Sequence, residues 1–132
     1  MANGTIAFDT LQTSGQITGT AKSVDTDYVV NGSAKAWLNV NQEGTQAFRD
    51  SFNCSSITDI ATGSTNVAYT NALANANYSL GGMARNSAGG GYGIVRISDP
   101  MSSTQIQFVG EDAGDTDIDC ETATVNLFGD LA

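Results

Sequence analysis

A chain of 132 residues holding fourteen acidic and five basic side chains carries a formal net charge of −9, although charged residues are only 14% of the whole. That length fits one domain with room for a core, and low charge beside many β-branched residues sets it apart from disordered chains, which join low hydrophobicity to high charge. The five cations are scattered singly, so no basic patch exists to neutralise a phosphate backbone or an anionic bilayer, and neither nucleic acid nor membrane is expected as a partner.

In chain order, Met1–Asp9 has neither the basic nor the apolar region of a secretory signal, and no apolar run approaches the roughly 18 residues of a membrane span. Synthesis and residence in a cytoplasm are the expectation. Gly4 to Leu11 offers a short strand with Ile6, Phe8 and Leu11 as its apolar side chains. From there to about residue 33 the alternation is weak and large apolar residues are few. Residues 1–33 are therefore expected to form an extended N-terminal arm, and residues 34–132 the domain proper. An arm with apolar side chains and no core of its own must pack on something: its own domain, a sister subunit or another protein.

Beyond the arm, period-two alternation recurs between clusters of turn residues, as in half-buried strands. Ala36, Leu38 and Val40 share one face of the first such run, with Trp37, Asn39 and Asn41 on the other. Residues 45–51 read as one helical turn or as a strand. Ser55–Ile60 and Asn66–Thr70 flank the turn Ala61–Ser64 as a hairpin, with Gly63 free to take a positive φ. Strands are expected near Asn77–Gly81, Tyr92–Ile97, Thr104–Val109 and Thr122–Phe128. Residues 86–91, 98–103 (with the only proline, Pro100) and 111–121 read as loops. The spacing of strand and turn predicts an all-β fold, a jelly-roll-like β-sandwich carrying the extended arm.

The inventory of reactive groups is thin. Histidine is absent, which removes Ser-His-Asp and Cys-His nucleophiles and histidine-ligated zinc or iron. Cys54 and Cys120 lie far apart and read as reduced, buried thiols. Gly89–Gly93 lacks the Lys-Ser/Thr that follows a phosphate loop. Paired carboxylates could serve a glycosidase, but the chain has few aromatic residues to line a cleft. Asp115, Asp117 and Asp119 repeat the first alternating positions of a calcium loop, with Glu121 as the next acid. Cys120 occupies the place of the turn glycine, and Asn126 the twelfth place. These four acids are a weak calcium candidate inside what reads as a solvated acidic loop. Neither catalytic residue nor cofactor is assigned, and an enzyme is not expected. The Asn-x-Ser/Thr triplets at Asn3, Asn31, Asn53 and Asn77 read as by-products of composition.

Ala34-Lys35-Ala36-Trp37, Arg49-Asp50-Ser51-Phe52-Asn53, the step Asn75–Tyr78 and the closing Phe128-Gly129-Asp130 form a pattern that spans Gly4 to Asp130. It resembles a domain of tail-fibre-like and other virion structural proteins of marine and cyanobacterial phages. The resemblance implies a virion component without catalytic residues, made in the host cytoplasm. One arm and one domain suit a capsid decoration (cement) protein that coats or stabilises the head. The alternative is a tail fibre or fibre tip that binds a host receptor. A small carbohydrate-binding or calcium-dependent adhesin module is a third class. A homotrimer is expected, with the major capsid protein or tail components as further partners. Ile6, Phe8, Leu11 and Trp37, the last at the junction of arm and domain, are the expected subunit or lattice contacts.

Overall fold

The computed structural model describes residues 26–86, 92–98 and 101–132. Period-two alternation becomes eight strands: β1 (Ala36–Asn41), β2 (Ala47–Phe52), β3 (Cys54–Ala61), β4 (Ser64–Tyr69), β5 (Ser79–Arg85), β6 (Tyr92–Ser98), β7 (Gln105–Glu111) and β8 (Thr122–Phe128). A seven-residue helix, α1 (Thr26–Gly32), precedes them. It forms the end of the segment expected to be extended. The remainder of that arm, with Ile6, Phe8 and Leu11, lies outside the described residues.

The strands run in the order β2-β1-β8-β5-β6-β7-β4-β3, every neighbouring pair antiparallel. Among the described residues β5 and β6 pair through Ala84–Gly93 and Arg85–Tyr92. This short ladder is the corner at which two four-stranded sheets join before they pack face to face, giving the all-β sandwich expected from the sequence. Of the pairings a jelly roll would nest, first strand with last (β1 with β8) and β4 with β7 are present, while β1–β2, β3–β4, β5–β6 and β6–β7 are hairpins. Residues 45–51 resolve in favour of strand, as β2.

β1 alternates buried and half-buried along its length and β8 does nearly the same. This is the pattern of strands with one face on a core and one toward solvent. Leu38, Val40, Val125 and Leu127 from one sheet meet Val67, Ile106 and Phe108 from the other, with Leu73 and Cys120 closing the cluster. Burial at these positions supplies the main driving force, roughly 1.5–3 kcal/mol for each large side chain.

The two ends of the sandwich are closed by different means. At one end, Gln42 is fully buried between the sheets. Its Nε2 donates to the Gly63 carbonyl at 2.6 Å and to Thr65 Oγ1 at 2.9 Å, and its Oε1 accepts from the Cys120 N–H at 3.1 Å. Gly63 (φ +71) makes the tight β3–β4 turn, donates its N–H to Asp119 Oδ1 at 2.6 Å and accepts from Gly110. At the opposite end the chain turns from β2 into β3 through the single residue Asn53, held at φ +57.

A Cβ on Gly63 would lie 2.7–2.9 Å from the backbone of Gly110 and Ile118, whereas one on Gly44 (φ +69, in the β1–β2 loop) meets nothing within 4 Å. Gly44→Ala carries only the left-handed penalty of about 1–2 kcal/mol. Gly63→Ala adds backbone overpacking of about 1–3 kcal/mol. Urea unfolding of the two variants should show that gap. Equal losses would mean the turn is not clamped against Gly110 and Ile118.

Candidate docking groove and the opposite acidic pole

Helix α1 has too few turns to be stable by itself. Its last turn is held by Lys35, whose buried ammonium donates to the Val30 carbonyl, to the Ser33 carbonyl at 2.8 Å and to Ser33 Oγ at 2.9 Å. A cation on the final carbonyls of a helix satisfies acceptors that have no partner within it and opposes the negative end of its dipole.

Asn53 fixes the opposite wall. Its Nδ2 donates to the Lys35 carbonyl at 2.9 Å and to the Asn71 carbonyl at 3.1 Å, while its Oδ1 accepts from the Asn71 N–H at 2.7 Å. Asn is among the few non-glycine residues that enter the left-handed region readily. The chain end is pinned alongside: Leu131 bridges to Leu73, and Asp130 and Ala72 exchange backbone bonds with Ala74 and Ala132.

Between these walls lies an open groove of about 370 Å³. Val29, Val30, Ala34, Phe52 and Leu131 make it apolar, and Lys35, Asn53 and Asn71 give it a polar side. Its rim is bare. Tyr28 is 78% exposed, Val29 61% and Phe52 54%. Val29 and Val30 of the short helix line this concave apolar surface, and such an exposed apolar patch marks a place built to be covered.

Trp37 borders this region. It is half-buried on the outer face of β1, directly opposite Phe52 of β2 and Asn126 of β8, and is not part of the core cluster. The structure thus brings Trp37 next to the groove through Phe52. Ile6, Phe8 and Leu11 fall outside the described residues.

The opposite end is acidic. Arg96 bridges Glu111 and, at 3.1 Å, Asp117. Arg49 and Arg85 both approach Glu121, at 3.9 and 3.4 Å. Asp112 accepts from the N–H groups of Gly114 and Thr116 and so folds its own turn, with Asp115 at φ +59. The calcium candidates are not brought together: Asp117 turns to Arg96, Asp119 to the Gly63 N–H and Glu121 to Arg49 and Arg85, while Asp115 sits on the turn. Among the described residues no three potential ligands cluster, and no helix is long and apolar enough to cross a membrane.

Cys54 begins β3 at the groove end and Cys120 lies beside Gln42 at the acidic end, separated by the length of β1, roughly 16–20 Å at 3.3 Å per residue. A disulfide needs Cα atoms within about 7 Å, so both are free thiols within one copy. Burial pushes Cys54 up to about 11 and raises Cys120 as well, with the carboxylates of Asp119 and Glu43 adding to the latter. Tyr69 and Tyr78 meet edge to face, their hydroxyls 3.0 Å apart, and burial raises both.

Comparison with protein-family models, with curated proteins and with solved structures finds no match. The sequence did not reveal the groove, although Asn31-Gly32 after three apolar residues is a helix-end signal that would have placed α1.

Because the folded state holds these thiol and phenol groups protonated above their ordinary range, the unfolded chain loses protons first as pH rises. Stability is unaffected below about pH 9 and falls above it. Cys54→Ala should remove the part of that fall lying between about pH 9 and pH 11. Denaturant titrations at pH 7, 9 and 11 read this out, and an unchanged alkaline slope in the variant would refute the burial of that thiol.

Proposed function

We propose that this chain is a non-enzymatic structural protein of a phage particle, a capsid decoration protein that seats its α1 end on the lattice and turns its acidic end to solvent. The observation that carries the reading is the segregation of surface chemistry. Exposed Val29, Val30, Phe52 and Leu131 line one groove with exposed Tyr28 on the same helix, while Ile60, Met83, Ile97 and Phe128 are exposed outside its lining, and the carboxylates from Glu111 to Glu121 gather at the far end.

Such a molecule has a direction. Apolar surface gains by being covered, at roughly 25 cal/mol per Å², so the groove end is the one that docks. A net charge of −9 keeps free copies apart and soluble, and the carboxylates from Glu111 to Glu121 stand at the end away from the contact. The resemblance of its motifs to those of virion structural proteins is the reason for placing the partner surface on a phage particle.

Labelled protein should be found on heads. Val30→Asp or Phe52→Asp should lower the number of copies per particle at least tenfold, while Asp112→Asn with Asp115→Asn should leave it unchanged. Particles that lose host adsorption instead, with heads of normal stability, would transfer the chain to the tail and to receptor binding.

A further inference from the structure

The groove has a natural occupant in the sequence. We propose that it takes the segment Gly4–Leu11 of a second copy, so that copies are joined by exchanged N-terminal arms; this rests on the docking role given to the α1 end. The described residues begin at Thr26, the first residue of the helix whose Val29 and Val30 line the groove. Residues 12–25 are mostly polar, with Gly15 and Gly19 and with Ile17 and Val24 as their large apolar side chains, and would reach up to about 45–50 Å if extended, at 3.3–3.6 Å per residue. Upstream of this spacer stand the apolar side chains of Ile6, Phe8 and Leu11.

Shape and chemistry agree with that occupant. In an extended segment Ile6 and Phe8 project from the same side about 7 Å apart. A groove of 370 Å³ holds the equivalent of about a dozen waters, at some 30 Å³ each, which is room for side chains of that size. The segment carries one charge, Asp9, and no cation. It therefore gains nothing from the acidic end and is left with the groove end, where two copies can approach with the carboxylates of Glu111 to Glu121 pointing apart.

A second copy is favoured over fold-back of the same chain by the state of α1. Fold-back fills the groove and leaves Tyr28 in solvent at 78% exposure. An arm from a neighbour arrives with a body attached, which covers that ring too. Phe8 and Tyr28 bring roughly 150–250 Å² each toward the approximately 1,000 Å² that a stable contact needs.

Sedimentation of the full chain over a dilution series tests this. Wild type should be oligomeric. Phe8→Asp, which spoils the arm, and Val30→Asp, which spoils the groove at an exposed position, should each associate at least tenfold more weakly with unchanged circular dichroism. Mixed one to one, the two variants should form a heterodimer, since one retains a sound groove and the other a sound arm. A monomeric wild type, a Phe8→Asp variant that assembles normally, or a mixture that stays monomeric would each overturn arm exchange. A monomeric chain that still coats particles overturns the exchange and leaves the decoration reading standing. An arm-linked oligomer that no particle accepts does the reverse.

Discussion

Between Phe52 and Cys54 the chain leaves one sheet and enters the other within one residue. Antiparallel strands ordinarily turn within their own sheet, and a step to the facing layer needs a backbone conformation that L side chains resist. Asn53 accepts it at φ +57, and its amide then bonds the carbonyls of Lys35 and Asn71 and the Asn71 N–H. Three chain segments are thereby fixed at one point: the entry to β1, the corner itself and the connection after β4. The groove depends on that point. If Asn53 relaxed, Phe52 on one wall and Lys35 under the helix would lose their common anchor.

The far end rests on a different device. Gln42 places a fully buried amide between the sheets and gives both its oxygen and its nitrogen a partner, which is the condition under which a buried polar group specifies structure instead of weakening it. Gly63 and Gly110 allow the turn, the end of β7 and the connection to β8 to approach to backbone distance. Asp119 is drawn in by the Gly63 N–H. The surrounding carboxylates are compensated by Arg49, Arg85 and Arg96, three of the chain's five cations. Among the described residues that allocation leaves Lys35, held by the Val30 and Ser33 carbonyls, as the cation at the groove end, with Asp27 in α1 and Asp130 next to Leu131 as nearby acids.

β1 and β8 were legible in the sequence to the residue, because each has one face on the core and one outside and so writes its period into the chain. β2 was not. Its exposed and half-buried positions follow no alternation, a register shift opposite Asn39 and Val40 breaks the period, and edge strands bury too little to enforce one. Helix α1 is too short to show a 3.6-residue period and owes its form to Lys35. The alternating aspartates suggested a shared ligand, but in an irregular connection alternation carries no common direction: Asp117 and Asp119 turn to separate partners and Asp115 sits on the turn. The groove was illegible for another reason: α1, the Asn53 corner, Asn71 and Leu131 are distant in sequence and are joined only by the fold. Trp37 lies on the outer face of β1, opposite Phe52.

Helix α1 enters the domain through β1, and β1 is no edge strand: β2 flanks it on one side and β8 on the other, each paired along five positions. Tension applied through the arm therefore runs parallel to this strand, between two ladders whose hydrogen bonds stand across the line of pull. Under such shear they share the load and must fail together, whereas an edge strand lifted sideways would peel bond by bond. A pull on α1 is thus met by a strand held on both sides.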